Sequence, residues 1–201
     1  MINKKKNVGI FIFDNVEILD FAGPYEVFSS VRLTKESRAD IYNIPAPFYT
    51  FTISEKKKKV IASGGLKITS NYNFKSCPQL DFLIIPGGIG TRDLLQNKLV
   101  LDWILYNKNV PIVASVCTGA LLLAKNGMLY NKKATTHWGA YDLLKTIDSS
   151  INVIKNKRFV FDKYYSSSGV SSGIDMCLHI IEKIYGKNIS KNTSKYIEYK
   201  H

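Results

Sequence analysis

The chain has 201 residues, 45% of them apolar and 22% charged, a balance that excludes a disordered tail, a collagen-like fibre and a coiled coil and leaves side chains enough for a sizeable core. That length predicts one domain over residues 1–201. The 28 Lys and Arg exceed the 16 Asp and Glu by twelve, which raises nucleic acid as a partner until the positions of the charges are considered.

Residues 1–7 are a short basic lead. The apolar run behind it, Val8 to Phe13, is too brief to span a membrane and lacks a small-residue cleavage site, so no membrane partner is expected and a cytoplasmic location is. The same run, continuously apolar, predicts a strand covered on both faces in a parallel sheet. Asp20 to Val31 predicts a helix with Pro24 tolerated in its first turn. Phe48 to Ser54 and Val60 to Thr69 predict two strands joined around Glu55–Lys59, a hairpin at a sheet edge, with Gly64-Gly65 as a bulge or turn. Asp81 to Ile85 is a buried strand stopped by Pro86-Gly87-Gly88, and Thr91 to Tyr106 has helical spacing.

The unit recurs at Pro111 to Val116, a strand, followed by the turn Cys117-Thr118-Gly119 and a helix from Ala120 to Lys125. Lys133 to Thr136 and Phe159 to Phe161 read as short strands, Val170 to Tyr185 as the closing helix with Gly186 at its stop, and residues 187–201 as a C-terminal tail. Strands alternating with helices predict an α/β domain with a mostly parallel sheet.

In such sheets ligands bind beyond the C-terminal strand ends. Asp20, Gly87-Gly88 and Cys117-Thr118 all fall at such ends. A strand, then Ser-Val-Cys-Thr-Gly, then a helix is the layout of a nucleophile elbow, with Cys117 as nucleophile. A helix N-terminus favours a thiolate and predicts a lowered thiol pKa. The amide of Thr118 and the backbone of Gly88 are candidate oxyanion donors, and Asp20 a candidate to hold or deliver a proton.

Three cysteines, Cys77, Cys117 and Cys177, odd in number and widely spaced, fit neither a disulfide framework nor a CxxC zinc site, so no metal is expected and a reducing compartment is. Cys77 and Cys177 read as packing residues. Glu17 and Glu26 flank Asp20 and are alternatives for the carboxylate near sulfur, their ordinary reading being solvent exposure. His137 either contacts ligand or holds a loop packed by Trp138. Lys4 to Lys6 and Lys56 to Lys59 fall at a terminus and an apparent hairpin tip, the positions of a solvated surface. With no aromatic interleaving or helix-turn-helix pattern, nucleic acid is not expected as a partner.

Ile18-Leu-Asp-Phe-Ala-Gly-Pro-Tyr-Glu-Val-Phe28, Ile84-Ile-Pro-Gly-Gly88 and Ser115-Val-Cys-Thr-Gly-Ala120, in this order and at these spacings, resemble the ThiJ/PfpI superfamily over residues 8–185. Ala134-Thr-Thr-His-Trp138 and Ser168 to Asp175 resemble the branch that holds isonitrile hydratases and the amidotransferase-like N-terminal domains of AraC-type regulators. In the protease-like branch histidine follows the nucleophile directly; here Thr118 stands in that place, which leaves a proteolytic Cys-His pair at the elbow unsupported.

The resemblance implies a flavodoxin-like three-layer α/β sandwich with a nucleophile elbow, a homodimer and a small-molecule substrate. It makes Cys117 the nucleophile, Asp20 its acid/base partner and Thr118 a supporting residue, and it implies hydration of an isocyanide to an N-substituted formamide through a Cys117 thioimidate, with no metal or organic cofactor. A non-catalytic ligand or redox sensor and a glyoxalase or deglycase stand as alternatives on the same residues.

Overall fold

The apolar runs become the middle of a seven-stranded sheet. In the computed structural model, which describes residues 4–33, 44–56 and 59–200, β1 (Lys6–Phe11) leads into α1 (Ile18–Ser30), β2 (Phe48–Ser54), β3 (Lys59–Ile61), β4 (Lys67–Thr69) and β5 (Tyr72–Asn73). Then come β6 (Phe82–Ile85), α2 (Thr91–Leu94), α3 (Lys98–Tyr106), β7 (Ile112–Val116), α4 (Gly119–Lys125), β8 (Lys133–Ala134) and α5 (Tyr141–Ile147). The chain closes with β9 (Asn152–Val153), β10 (Phe159–Asp162), β11 (Tyr164–Ser167), α6 (Ser172–Tyr185) and α7 (Lys187–Tyr196).

The central sheet has the order β10-β11-β7-β6-β1-β2-β5. Every neighbouring pair is parallel except β10 with β11. Val8, Ile10 and Phe11 of β1, Leu83, Ile84 and Ile85 of β6 and Val113, Ala114 and Val116 of β7 are all buried. Side chains from both faces of these strands thus lie in the core, the condition under which a parallel sheet is stable. Helices α1, α6 and α7 pack together, as do α2, α3, α4 and α5, and the two groups flank the sheet. The expected three-layer α/β fold is present.

Several expected elements differ. The strand from residue 48 does not pair with the one near residue 60: β2 lies parallel to β1 inside the central sheet, while β3 pairs antiparallel with β4 across Gly64 and Gly65, whose φ values are 68° and 84°. Lys57 and Lys58, placed at the expected tip, lie outside the described residues. Helix α1 starts two residues before Asp20, which puts Pro24 beyond the first turn. The helix expected over 91–106 is two, divided at Asn97, whose side chain caps α3 by accepting the Val100 N–H at 3.2 Å.

Strand β11 and helix α5 have no counterpart in the expected elements. The expected tail is mostly helix: α7 packs on α6 and α1, and beyond it Tyr199 donates through its hydroxyl to Asp175 Oδ1 at 3.1 Å and accepts from Arg158 at the same distance. Arg158 in turn bonds Asp175 through Nε at 2.6 Å. The basic lead is shorter than expected, since Lys6 already belongs to β1. Among the described residues no helix is long and apolar enough to cross a membrane.

Candidate active site

Three strand ends meet at one point. The C-terminal end of β1 runs through a loop into α1, which carries Asp20 in its first turn. The end of β6 turns through Pro86-Gly87-Gly88, and the end of β7 passes through Cys117 into α4. Gly88 takes φ 120°, a conformation open to glycine, and a Cβ there would meet the backbone of Glu17 at 2.5 Å. The β6 and β1 turns therefore meet backbone to backbone here, with Glu17 N–H donating to Gly87 O at 2.9 Å.

Cys117 has φ 55°. A left-handed backbone at a non-glycine residue costs on the order of 1–3 kcal/mol and persists where the surroundings dictate it. Here both ends of the residue are held: its N–H donates to Ser167 O in β11 at 3.0 Å, and its carbonyl accepts the Thr136 hydroxyl at 2.7 Å. This is the sharp strand-to-helix turn expected of a nucleophile elbow.

Asp20 is fully buried. Its Oδ2 accepts the Gly87 N–H at 2.9 Å, while Oδ1 is enclosed without a hydrogen-bond partner of ordinary geometry. The carboxyl and the Cys117 thiol are close enough to shift each other. Burial, opposed by the Gly87 bond and reinforced by the Glu17 charge, raises Asp20 to about 7. Burial and the Asp20 charge push Cys117 up to about 12, against the amide and hydroxyl of Thr118, which favour the thiolate. The expectation of a lowered thiol pKa is thus corrected: desolvation outweighs the helix terminus.

Thr118 is buried at the N-cap of α4. Its hydroxyl accepts the Gly88 N–H at 3.0 Å and donates to Gly88 O at 3.1 Å, with Thr91 Oγ1 at 3.2 Å. The Gly88 amide, expected as an oxyanion donor, is therefore taken by Thr118, and the Thr118 amide is the backbone donor that acts on the sulfur. Glu17 is half-buried at the start of α1 and acts on Asp20 through its charge, whereas Glu26 bonds Ser30 one turn along the helix.

His137 follows Thr136, so its loop adjoins the elbow, but its Nδ1 accepts the Gly139 N–H at 3.2 Å and caps the next turn. Trp138, expected to pack this loop, is 76% exposed, its ring tilted beside His137. Thr136 was not among the expected site residues. The signal that marks it is its place beside His137 in the Ala134-Thr-Thr-His-Trp138 segment. Among the described residues His, Cys, Asp and Glu nowhere gather in threes as a metal set.

The DJ-1/PfpI family model matches residues 6–183. The isonitrile hydratase of Pseudomonas putida is 30% identical over 193 residues, which cover 96% of this chain and 78% of that one. The HTH-type transcriptional regulator GbdR of Pseudomonas aeruginosa is 24% identical over 196 residues, and the chain spans about half of that regulator's length (51%). Among solved structures, a ThiJ/PfpI family protein from Pseudomonas syringae superposes with a TM-score of 0.85 at 22% identity, over 98% of this chain and 76% of that one. DJ-1beta of Drosophila melanogaster gives 0.81 at 18% identity, over 98% of this chain and all of that one.

Proposed function

The chain belongs to the DJ-1/PfpI family, and on that premise we propose that it is a cysteine-dependent hydratase that converts an isocyanide into an N-substituted formamide. The observation that carries this reading is the pairing of a buried carboxyl, one oxygen of which has no partner of ordinary geometry among the described residues, with the thiol of Cys117 on a strained elbow, each group shifting the other's pKa. The likeness to the Pseudomonas putida isonitrile hydratase directs it to this chemistry. The reading takes residues 1–201 as one domain, working in the cytoplasm as a homodimer on a small molecule, without nucleic acid, membrane, metal or organic cofactor.

Between about pH 7 and 12 the Asp20–Cys117 pair holds one proton, on the sulfur. As Sγ attacks the terminal carbon of R–N≡C, its proton passes to the Asp20 carboxylate and from there to that carbon, giving R–N=CH–S–Cys117. Asp20 then takes a proton from water as the oxygen adds to carbon, and the nitrogen receives it. Collapse of the R–NH–CH(OH)–S adduct expels the sulfur, which recovers the hydroxyl proton, and releases R–NH–CHO. Thr118 acts on the sulfur and fixes the Gly88 turn; a role for Gly88 itself is confined to shaping the site. His137, next to Thr136, is the candidate to contact the R group.

Purified protein incubated with an aryl isocyanide should produce formamide at a rate abolished by Cys117→Ala. Equal production by wild type and Cys117→Ala would end the hydratase reading. A second reading, a ligand-sensing domain, draws on the likeness to the regulator. It is favoured if the isocyanide raises the melting temperature of the protein without turnover.

A further inference from the structure

Two buried threonines stand side by side beneath the elbow, and they differ in one respect. Thr136 donates its hydroxyl to the Cys117 carbonyl at 2.7 Å, whereas Thr135 Oγ1 has no partner among the described residues, although both side chains are fully buried. Thr135 is fixed through its backbone, its N–H donating to Ser166 Oγ at 3.0 Å. The two residues thus share a strand end, a depth and a side chain, and one of them holds the nucleophile.

We propose that Thr136 is a positioning residue that aims the Cys117 sulfur at Asp20 by holding the Cys117 carbonyl in the left-handed turn. The turn needs such a hold. At φ 55° Cys117 occupies a conformation from which its backbone tends to relax. The N–H side is tied to Ser167 of β11, which leaves rotation of the following peptide as the way for the elbow to unwind. The carbonyl of that peptide is the group that Thr136 takes. Helix α4 offers it no substitute, because the first turn of that helix is closed from Thr118 O to the Leu121 N–H.

The arrangement also joins the elbow to the loop that bears His137 and Trp138, since the hydroxyl belongs to the residue just before His137. The inference rests on Cys117 being the reacting group, and it holds whatever electrophile the sulfur meets. It can therefore be tested apart from isocyanide hydration, by the rate at which iodoacetamide alkylates Cys117 in the folded protein, followed by peptide mass.

Thr136→Val keeps the shape of the side chain and removes the donor. It should slow alkylation of Cys117 by tenfold or more and shift its pH profile, because sulfur and carboxyl no longer meet in the same geometry. Where the protein turns over isocyanide, kcat should fall by a similar factor with KM changing less than threefold. Thr136→Ser restores the donor and should return both rates to within about threefold of wild type. Thr135→Val removes a hydroxyl of the same depth that bonds nothing and should leave both rates unchanged. If Thr136→Val does not fold, Thr136→Ala is read against Thr136→Ser in its place. Equal rates for the Val and Ser variants, or an equal loss at Thr135→Val, would overturn the proposal. Normal alkylation behaviour without any formamide would instead overturn the hydratase reading and leave this one standing.

Discussion

At Cys117 two effects compete, and their magnitudes decide the outcome. A helix N-terminus contributes about 0.3–1 kcal/mol in favour of an anion, and α4 is only seven residues long. Raising the thiol from 9.0 to about 12 corresponds to roughly 4 kcal/mol against the thiolate, set first by burial and then by the Asp20 charge. The sulfur therefore rests protonated, and its reactivity depends on a neighbour that can take the proton. On the proposed hydratase reading Asp20, at about 7, is that neighbour. Below pH 7 the carboxyl is neutral and cannot accept the proton, so kcat/KM for formamide formation should rise through about pH 7 and level off above it. Asp20→Asn should lower kcat/KM by roughly 10²–10⁴-fold and remove the rise; a pH–rate profile of both proteins checks this, and a rise that survives in Asp20→Asn would assign it to another group. The pattern around Cys117 and the acidic residue before Pro24 were legible in the sequence. The fate of the Gly88 amide was not, because a backbone donor with two neighbours declares its choice only in three dimensions.

The strands that were legible are those buried on both faces, since solvent exclusion alone makes β1, β6 and β7 apolar throughout. Strand β11 escaped the same reading. Its Tyr164-Tyr-Ser-Ser167 carries hydroxyls into the interior, where Ser166 and Ser167 are buried and find partners in the Thr135 N–H and the Ser115 carbonyl. Burial of such groups is tolerated once they are bonded, and an apolar pattern does not reveal it. The division of α2 from α3 was hidden for a different reason, because apolar spacing continues across Asn97. What ends one helix and starts the next is a cap: Asn97 accepts the Val100 N–H and also donates to Glu55 Oε2 at 2.9 Å. Asn97→Ala should cost about 1 kcal/mol, a fall in melting temperature of about 2–4 °C for a chain of this size. Since the Asn97 side chain bonds Val100 and Glu55 and neither Cys117 nor Asp20, alkylation of Cys117 should not change. Unaltered melting would mean that α3 starts without help from its cap.

For the molecule as a whole, a fully buried carboxyl makes stability depend on pH in a direction opposite to the common one. Most acidic groups titrate lower in the folded state and stabilise it as pH rises, whereas Asp20 titrates higher, at about 7 against 3.8 in its ordinary setting. Between those values the folded protein keeps a proton on Asp20 that the unfolded chain has released, so the folded state binds more protons and loses stability as pH rises. The contribution is fully present below about pH 4 and gone above about pH 7. From pH 5 to pH 7.5 the loss amounts to roughly 2.5 kcal/mol. The raised Cys117 thiol acts in the same sense but only above about pH 9, outside this window. Urea denaturation at the two pH values should show wild type losing roughly that much relative to Asp20→Asn, whose amide does not titrate. The same comparison at the ordinary acidic surface groups cancels, because both proteins carry them. A wild type that follows Asp20→Asn across the window would mean that the carboxyl is ionised when folded, and the proton transfer from Cys117 would then have no pH threshold near neutrality.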